Sequence, residues 1–163
     1  MKILRVILLI LSLIHATLAD EVTVVKIFDG DTILVNNKGT NQVIRFIGID
    51  TPEVKLNPKL LEDSLRTKKS IEEILKVGEL SKHKLQSMIS EGDKVTLEYD
   101  VERNNGNRIL AYVYNQKGEM LNLKLLESGF ATIMTVPPNV RYVKQFEKAQ
   151  KLARENRLGH WNE

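Results

Sequence analysis

The sequence predicts an α+β fold, a small five-stranded β-barrel carrying about three helices. Three observations predict it. Short β-branched runs recur, separated by turn residues. A charged segment with helical spacing falls between the third and fourth of these runs, and two further helical patterns follow the fifth. That order, with a helix inserted between the third and fourth strands, is the order of a barrel of the OB type.

The elements follow in turn. Val22 to Phe28 is a β-branched run carrying the polar Thr23 and Lys26, and reads as a strand. Asp29-Gly30-Asp31 is a turn signal, and Thr32 to Val35 is the return strand. Asn36 to Gly39 reads as a hairpin turn. Val43 to Ile49 is expected to be the third strand, ended by Pro52. Residues 54–77 then set seven leucines and isoleucines among many charges; Ile71, Ile74 and Leu75 suit one helical face. A second helical pattern runs from Glu79 to Ile89, and Gly78 is expected to divide the two. Lys94 to Tyr99 alternates as the fourth strand; Asn104 to Asn107 is a turn, and Ile109 to Tyr114 is the fifth strand with Arg108 at its opening. Leu121 to Ser128 is a short helix stopped by Gly129. Val136 to Asn139 is a loop. Asn139 is expected to cap a last helix from about Val140 to Arg157, with Val143, Phe146, Ala149 and Ala153 inward and Trp161 packing back on the body.

The first residues have a different character. Lys2 and Arg5 precede an apolar run from Val6 to Ile14 broken by Ser12, and Thr17-Leu18-Ala19 offers small residues for cleavage. We read residues 1–19 as a secretory signal peptide and residues 20–163 as one domain, which places the protein outside the cell, in the periplasm or in the cell envelope. An uncleaved leader that tethers the chain to the envelope is the other reading, although the run is short for a membrane span.

Composition limits the function classes. The net charge of +3 falls to +1 for residues 20–163, because Lys2 and Arg5 lie in the leader and no acid does. Overall charge therefore says little about a nucleic-acid partner. The absence of cysteine excludes thiol catalysis and cysteine-zinc sites and leaves stability to the core. His83 and His160 are far apart in sequence and lack metal-ligand spacing, so both are read as structural or surface residues.

The chemistry concentrates near the second and third strands. Asp29, Asp31, Asp50 and Glu53 recur where β-branched runs begin or end, and Arg45 sits inside one between Ile44 and Phe46. Two converging carboxylates, Asp31 and Asp50, completed by main-chain carbonyls and water would make a hard oxygen site for calcium or magnesium. Arginine suits a phosphodiester under attack, because its planar fork donates paired bonds and stays protonated. Arg45 and Arg108 are the candidates for that role, and Glu53 is the candidate base for the attacking water. On the residues alone, simple ion pairs between these arginines and Asp29 or Glu53 are an equal alternative.

Three blocks narrow this. Ile27-Phe28-Asp29-Gly30-Asp31-Thr32, then Ile44 to Glu53, then Asn107 to Tyr114 closely resemble the staphylococcal nuclease (thermonuclease) family. Leu121 to Ala131 and Leu158-Gly159-His160-Trp161 are also similar, so the resemblance runs from about Val22 to Trp161 with 54–77 as its main gap. It implies a secreted, calcium-dependent endonuclease that cuts DNA and RNA to leave 3′-phosphate ends. It also implies calcium ligands at Asp31, Asp50 and the Thr51 carbonyl, with Asp29 as an outer acid. Glu53 would activate water; Arg45 and Arg108 would hold the phosphate. A monomer is expected, with nucleic acid as its partner, no stable protein partner and no membrane attachment after cleavage.

There are departures. Asn105-Gly106-Asn107 stands where the founding member has a Lys-Tyr pair, and Thr135-Val136-Pro137-Pro138 stands where it has tyrosines near the bound base. Weaker base stacking is the expectation. The segment after Glu53 is longer than in the founding member. A non-catalytic OB-fold module that binds nucleic acid is the rival function.

Overall fold

The computed structural model describes residues 19–162. Within them a five-stranded barrel is built from β1 (Ala19–Ile27), β2 (Thr32–Asn37), β3 (Thr40–Phe46), β5 (Lys94–Glu98) and β7 (Arg108–Tyr114). Neighbours pair antiparallel in the order β3-β2-β1-β5-β7, a parallel β3–β7 pairing closes the ring, and the two-residue strand β6 (Asn104–Asn105), where the sequence predicts a turn, pairs antiparallel with the start of β7. Closure removes both free edges, which is how so short a sheet avoids exposing unpaired backbone. The leader expected over residues 1–19 lies outside the described residues apart from Ala19, whose backbone pairs with Glu98. Among the described residues no helix is long and apolar enough to cross a membrane.

The barrel interior follows from period-two alternation. Val22, Val24, Ile33, Val35, Ile44, Phe46, Val95, Leu97, Ala111 and Val113 are buried against one another. The β2–β3 turn uses Lys38 and Gly39, both at positive φ (51° and 93°), so a two-residue connection matches the strand twist. Leu121, Leu125 and Leu126 of α3 (Leu121–Glu127) are buried in the same core. Phe146, Ala149 and Ala153 of α4 (Val143–Glu155) are also buried.

Several expectations are corrected. The third strand is two: β3 ends at Phe46, and Gly48–Asp50 is a separate strand, β4, paired antiparallel with β8 (Thr132–Met134), a segment for which the sequence predicts no element. Gly48 has φ +78°, and a side chain there would meet the Phe146 ring at 2.7 Å; the chain turns sharply where only glycine fits. Segment 54–77 contains a helix of its own, α1 (Pro58–Thr67), with Asn57 accepting from the Leu60 N–H at 2.8 Å and Pro58 in the first turn. The next helix, α2, runs unbroken from Ile71 to Gln86 through Gly78. It starts at a capping box, Ser70 with Glu73. Of the expected apolar face, Ile74 is buried and Ile71 is exposed. Asn139 is not a helix cap. It is buried, accepts from the Glu102 N–H and donates to the Glu102 carbonyl, both at 2.8 Å, while α4 begins later, at Val143.

Candidate active site

The Asp29-Gly30-Asp31 turn leads directly into β2. The Asp31 N–H donates to Asp29 Oδ1 at 3.0 Å, and a side chain at Gly30 would lie 2.8 Å from both Thr51 and Ser81. Glycine therefore lets the turn press onto the segment that follows β4. The contact brings Asp31 and Thr51, twenty residues apart, into hydrogen bonding.

Asp31 is fully buried. Its Oδ2 accepts from the Thr51 N–H at 2.7 Å and the Thr51 hydroxyl at 3.0 Å; its Oδ1 accepts from the Thr32 hydroxyl at 2.9 Å and from Arg45. Arg45 faces Thr32 across the β2–β3 ladder, which is why its side chain reaches Asp31. The other arm of its guanidinium donates to Asp50 Oδ1 at 2.7 Å and to the Ile49 carbonyl at 3.3 Å. Arg45 thus bridges the two aspartates that the sequence proposed as metal ligands. An arginine with 19% of its side chain exposed meets the requirement that a desolvated charge be paired.

Glu53 lies just beyond β4 and both its oxygens are held. Oε2 accepts from Asn57 Nδ2 at 2.7 Å, and Oε1 accepts from Lys59 Nζ at 2.8 Å. Lys59 also lies 3.2 Å from Asp50 Oδ2 and 3.7 Å from Asp63 Oδ2. Burial works against its ammonium, but the bond it donates to Glu53 and the charges of Asp50 and Glu53 outweigh that and hold its pKa above the ordinary lysine value. At Asp29, burial raises the carboxyl above the usual range; Arg45 and Thr32 pull it down, and the Glu53 charge adds to the rise.

Arg108 stands apart from this cluster. It is exposed, opens β7, and makes no side-chain hydrogen bond or ion pair among the described residues. The β3–β7 register pairs Arg45 with Leu110, and Arg108 is two residues earlier on the same strand. Strand alternation therefore puts Arg108 on the same outer face as Leu110 and Arg45. A cavity of about 120 Å³ opens on that face, lined by Arg45, Leu110, Asn105, Met134 and Val136. Its exposed apolar wall is Met134 and Val136, in keeping with the absence of tyrosines from this loop.

The donors offered to a metal are all oxygen: the Asp31 and Asp50 carboxylates, which a single guanidinium already spans, and the carbonyl of Thr51, whose N–H and hydroxyl reach Asp31. This chemistry fits a hard divalent cation. Among the described residues no three His, Cys, Asp or Glu side chains form a ready-made metal cluster, so carbonyl and solvent oxygens would have to complete the shell. His83 is exposed, and His160 meets the Ser81 hydroxyl at 3.1 Å and the edge of Phe130, so both lie within the structural roles expected of them.

Comparison with known proteins shows the family. The family model described as "Staphylococcal nuclease homologue" matches residues 43–163. The chain belongs to the staphylococcal nuclease family. It is 36% identical over 141 residues to a thermonuclease of Staphylococcus hyicus, an alignment covering 85% of this chain and 74% of that protein. It is 33% identical over 137 residues to a thermonuclease of Staphylococcus intermedius, covering 83% and 73%. An endonuclease of Bacillus subtilis (strain 168) is 32% identical over 143 residues, but the chain covers 11% of that larger protein. The closed five-stranded barrel with flanking helices is the fold expected of this nuclease family.

Reasoning from sequence missed the group around Glu53. Asn57 caps α1, and Lys59 and Asp63 lie on it, inside the segment that is the main gap in the resemblance. One signal was available: Asn57-Pro58 is a helix start, and Lys59 and Asp63 are one helical turn apart.

Proposed function

We propose that this enzyme of the staphylococcal nuclease family is a secreted, calcium-dependent endonuclease that hydrolyses phosphodiester bonds of DNA and RNA and leaves 3′-phosphate ends. One observation carries the reading: Arg45 joins Asp31 to Asp50, and Lys59 joins Asp50 to Glu53, so two candidate ligands, the phosphate-binding fork and the candidate base share one small volume.

Asp31, Asp50 and the Thr51 carbonyl would hold the calcium ion, which when bound supplies Lewis-acid stabilisation to a phosphate oxygen. The remaining chemistry falls to the chain's own groups. Arg45 keeps N–H donors beyond those given to Asp31, Ile49 and Asp50, and these can meet a non-bridging oxygen as its charge grows. Glu53 accepts a proton from the attacking water. The water oxygen bonds to phosphorus while the phosphorus–O5′ bond breaks, and the electron pair leaves with O5′. Arg108, uncommitted on the same face, is available to the phosphate and the departing oxygen.

The test is cleavage by purified protein of single- and double-stranded DNA and of RNA. The expected result is degradation with calcium, arrest by chelator, and product ends that polymerase extends only after phosphatase treatment. Tight DNA binding in calcium without cleavage would instead make the chain a binding module. Amino-terminal sequencing of the exported protein tests secretion; a start near Asp20 is expected.

A further inference from the structure

Every carboxylate oxygen that this reading offers to calcium or to water is already engaged by a donor in the folded chain. Asp31 has four bonds, Asp50 Oδ1 faces Arg45, and Glu53 Oε2 faces Asn57. The outer oxygen of Asp50 and the second oxygen of Glu53 share one cation, Lys59 Nζ, at 3.2 and 2.8 Å. A divalent ion arriving at Asp50 cannot take that oxygen while an ammonium stays on it, because like charges at such distances repel strongly in a partly desolvated site. One cation must move. Arg45 is held by three acceptors with 19% of its side chain exposed. Lys59 is 38% exposed and sits on a flexible four-carbon stem.

We propose that Lys59 is a built-in counter-ion for the metal site, holding Asp50 and Glu53 together before calcium binds and yielding Asp50 to calcium when it arrives. Lys59 acts through Asp50 and Glu53 and is a positioning residue. It lowers the chain's affinity for calcium, and it keeps the candidate base facing the site. It also ties α1 to metal binding, since the contact with Asp63 lies on that helix. The inference rests on the calcium reading above.

Calorimetric titration of calcium chloride into the purified protein tests it, beside Lys59→Met, Lys59→Arg and Lys55→Met. Lys55 is exposed, four residues before Lys59, and has no ion pair among the described residues, so its variant measures the general effect of losing one charge. Lys59→Met is expected to bind calcium about tenfold more tightly than the native chain, with Lys59→Arg and Lys55→Met within about twofold of it. A second measurement needs no variant. Acetylation of lysines in the native protein, read by mass spectrometry, should speed up several-fold at Lys59 on adding calcium and stay unchanged at Lys55. Equal calcium affinity in Lys59→Met and Lys55→Met, or no calcium effect on Lys59 acetylation, overturns the inference. Calcium binding with Lys59→Met unaltered rejects this inference alone; no calcium binding by any of the four proteins rejects the calcium reading with it.

Discussion

At the scale of single residues, two side chains separate chemistry from stability. Glu53 accepts from Asn57 at one oxygen and from Lys59 at the other, so Glu53→Gln loses the base and, because its amide NH2 must face one of these donors, one of the two bonds. Turnover should fall by about 10²–10⁴-fold with a modest drop in melting temperature, measured by steady-state cleavage and by thermal unfolding. Arg45→Lys keeps a charge but cannot span Asp31 and Asp50 with one fork. We expect a rate loss on the order of 10²-fold or more together with a lower melting temperature. Asn122 is a contrasting case with no chemical part. It is fully buried, accepts from the Val113 N–H at 3.0 Å and donates to the Ile47 carbonyl at 2.9 Å, fastening α3 to β7 and to the break between β3 and β4. Asn122→Ala strands both backbone groups. It should cost about 2–4 kcal/mol in urea unfolding, from two unmet buried partners.

At the scale of elements, α2 shows how packing fixes the site from outside it. A side chain at Gly78 would lie 2.2 Å from the Glu53 carbonyl oxygen and 2.8 Å from that of Pro52. The helix can therefore rest against the backbone that carries Glu53 only because position 78 has no side chain. In a free helix Gly78→Ala would be favourable by about 1 kcal/mol. Here it should destabilise by about 1–3 kcal/mol and lower turnover as well, since the obstructing atoms are backbone. A Gly78→Ala protein with raised stability and full turnover would refute the packing argument. The same position shows what periodicity can and cannot tell. It gave helices on both sides of residue 78, but the reason for glycine there is a contact with residue 53, which no local pattern encodes.

At the scale of the whole molecule, the barrel and the last helix are joined by an acid with several donors. Glu98 on β5 accepts from the Tyr114 hydroxyl at 2.6 Å and from the Tyr142 hydroxyl at 2.9 Å, and pairs with Arg141. Burial pushes its carboxyl up, but the bonds from Tyr114, Arg141 and Tyr142 prevail and hold it below its ordinary 4.5. Its stabilisation is therefore complete above the unfolded value and is lost as pH falls through the lower folded one. Urea midpoints should drop on acidification through about pH 4.5 and below, and should drop less steeply in Glu98→Gln. Burial first, then the bond to Glu98, raises the Tyr114 hydroxyl well above its usual range, so phenol ionisation plays no part near neutrality.

The strands, the turn at Asp29-Gly30-Asp31 and the identity of the acids and arginines were legible from the chain alone. Alternation, turn chemistry and motif are local properties, carried by residues close in sequence. The joining of Asp31 to Thr51, the bridge that Arg45 makes to Asp50, the split of one apolar run into β3 and β4, and the bonds of Lys59 and Asn57 to Glu53 were decided by tertiary structure. Each depends on how closely segments approach across the barrel wall. Closure of β3 onto β7 and the small residues at positions 30, 48 and 78 set that approach, and both act between residues that sequence spacing holds apart.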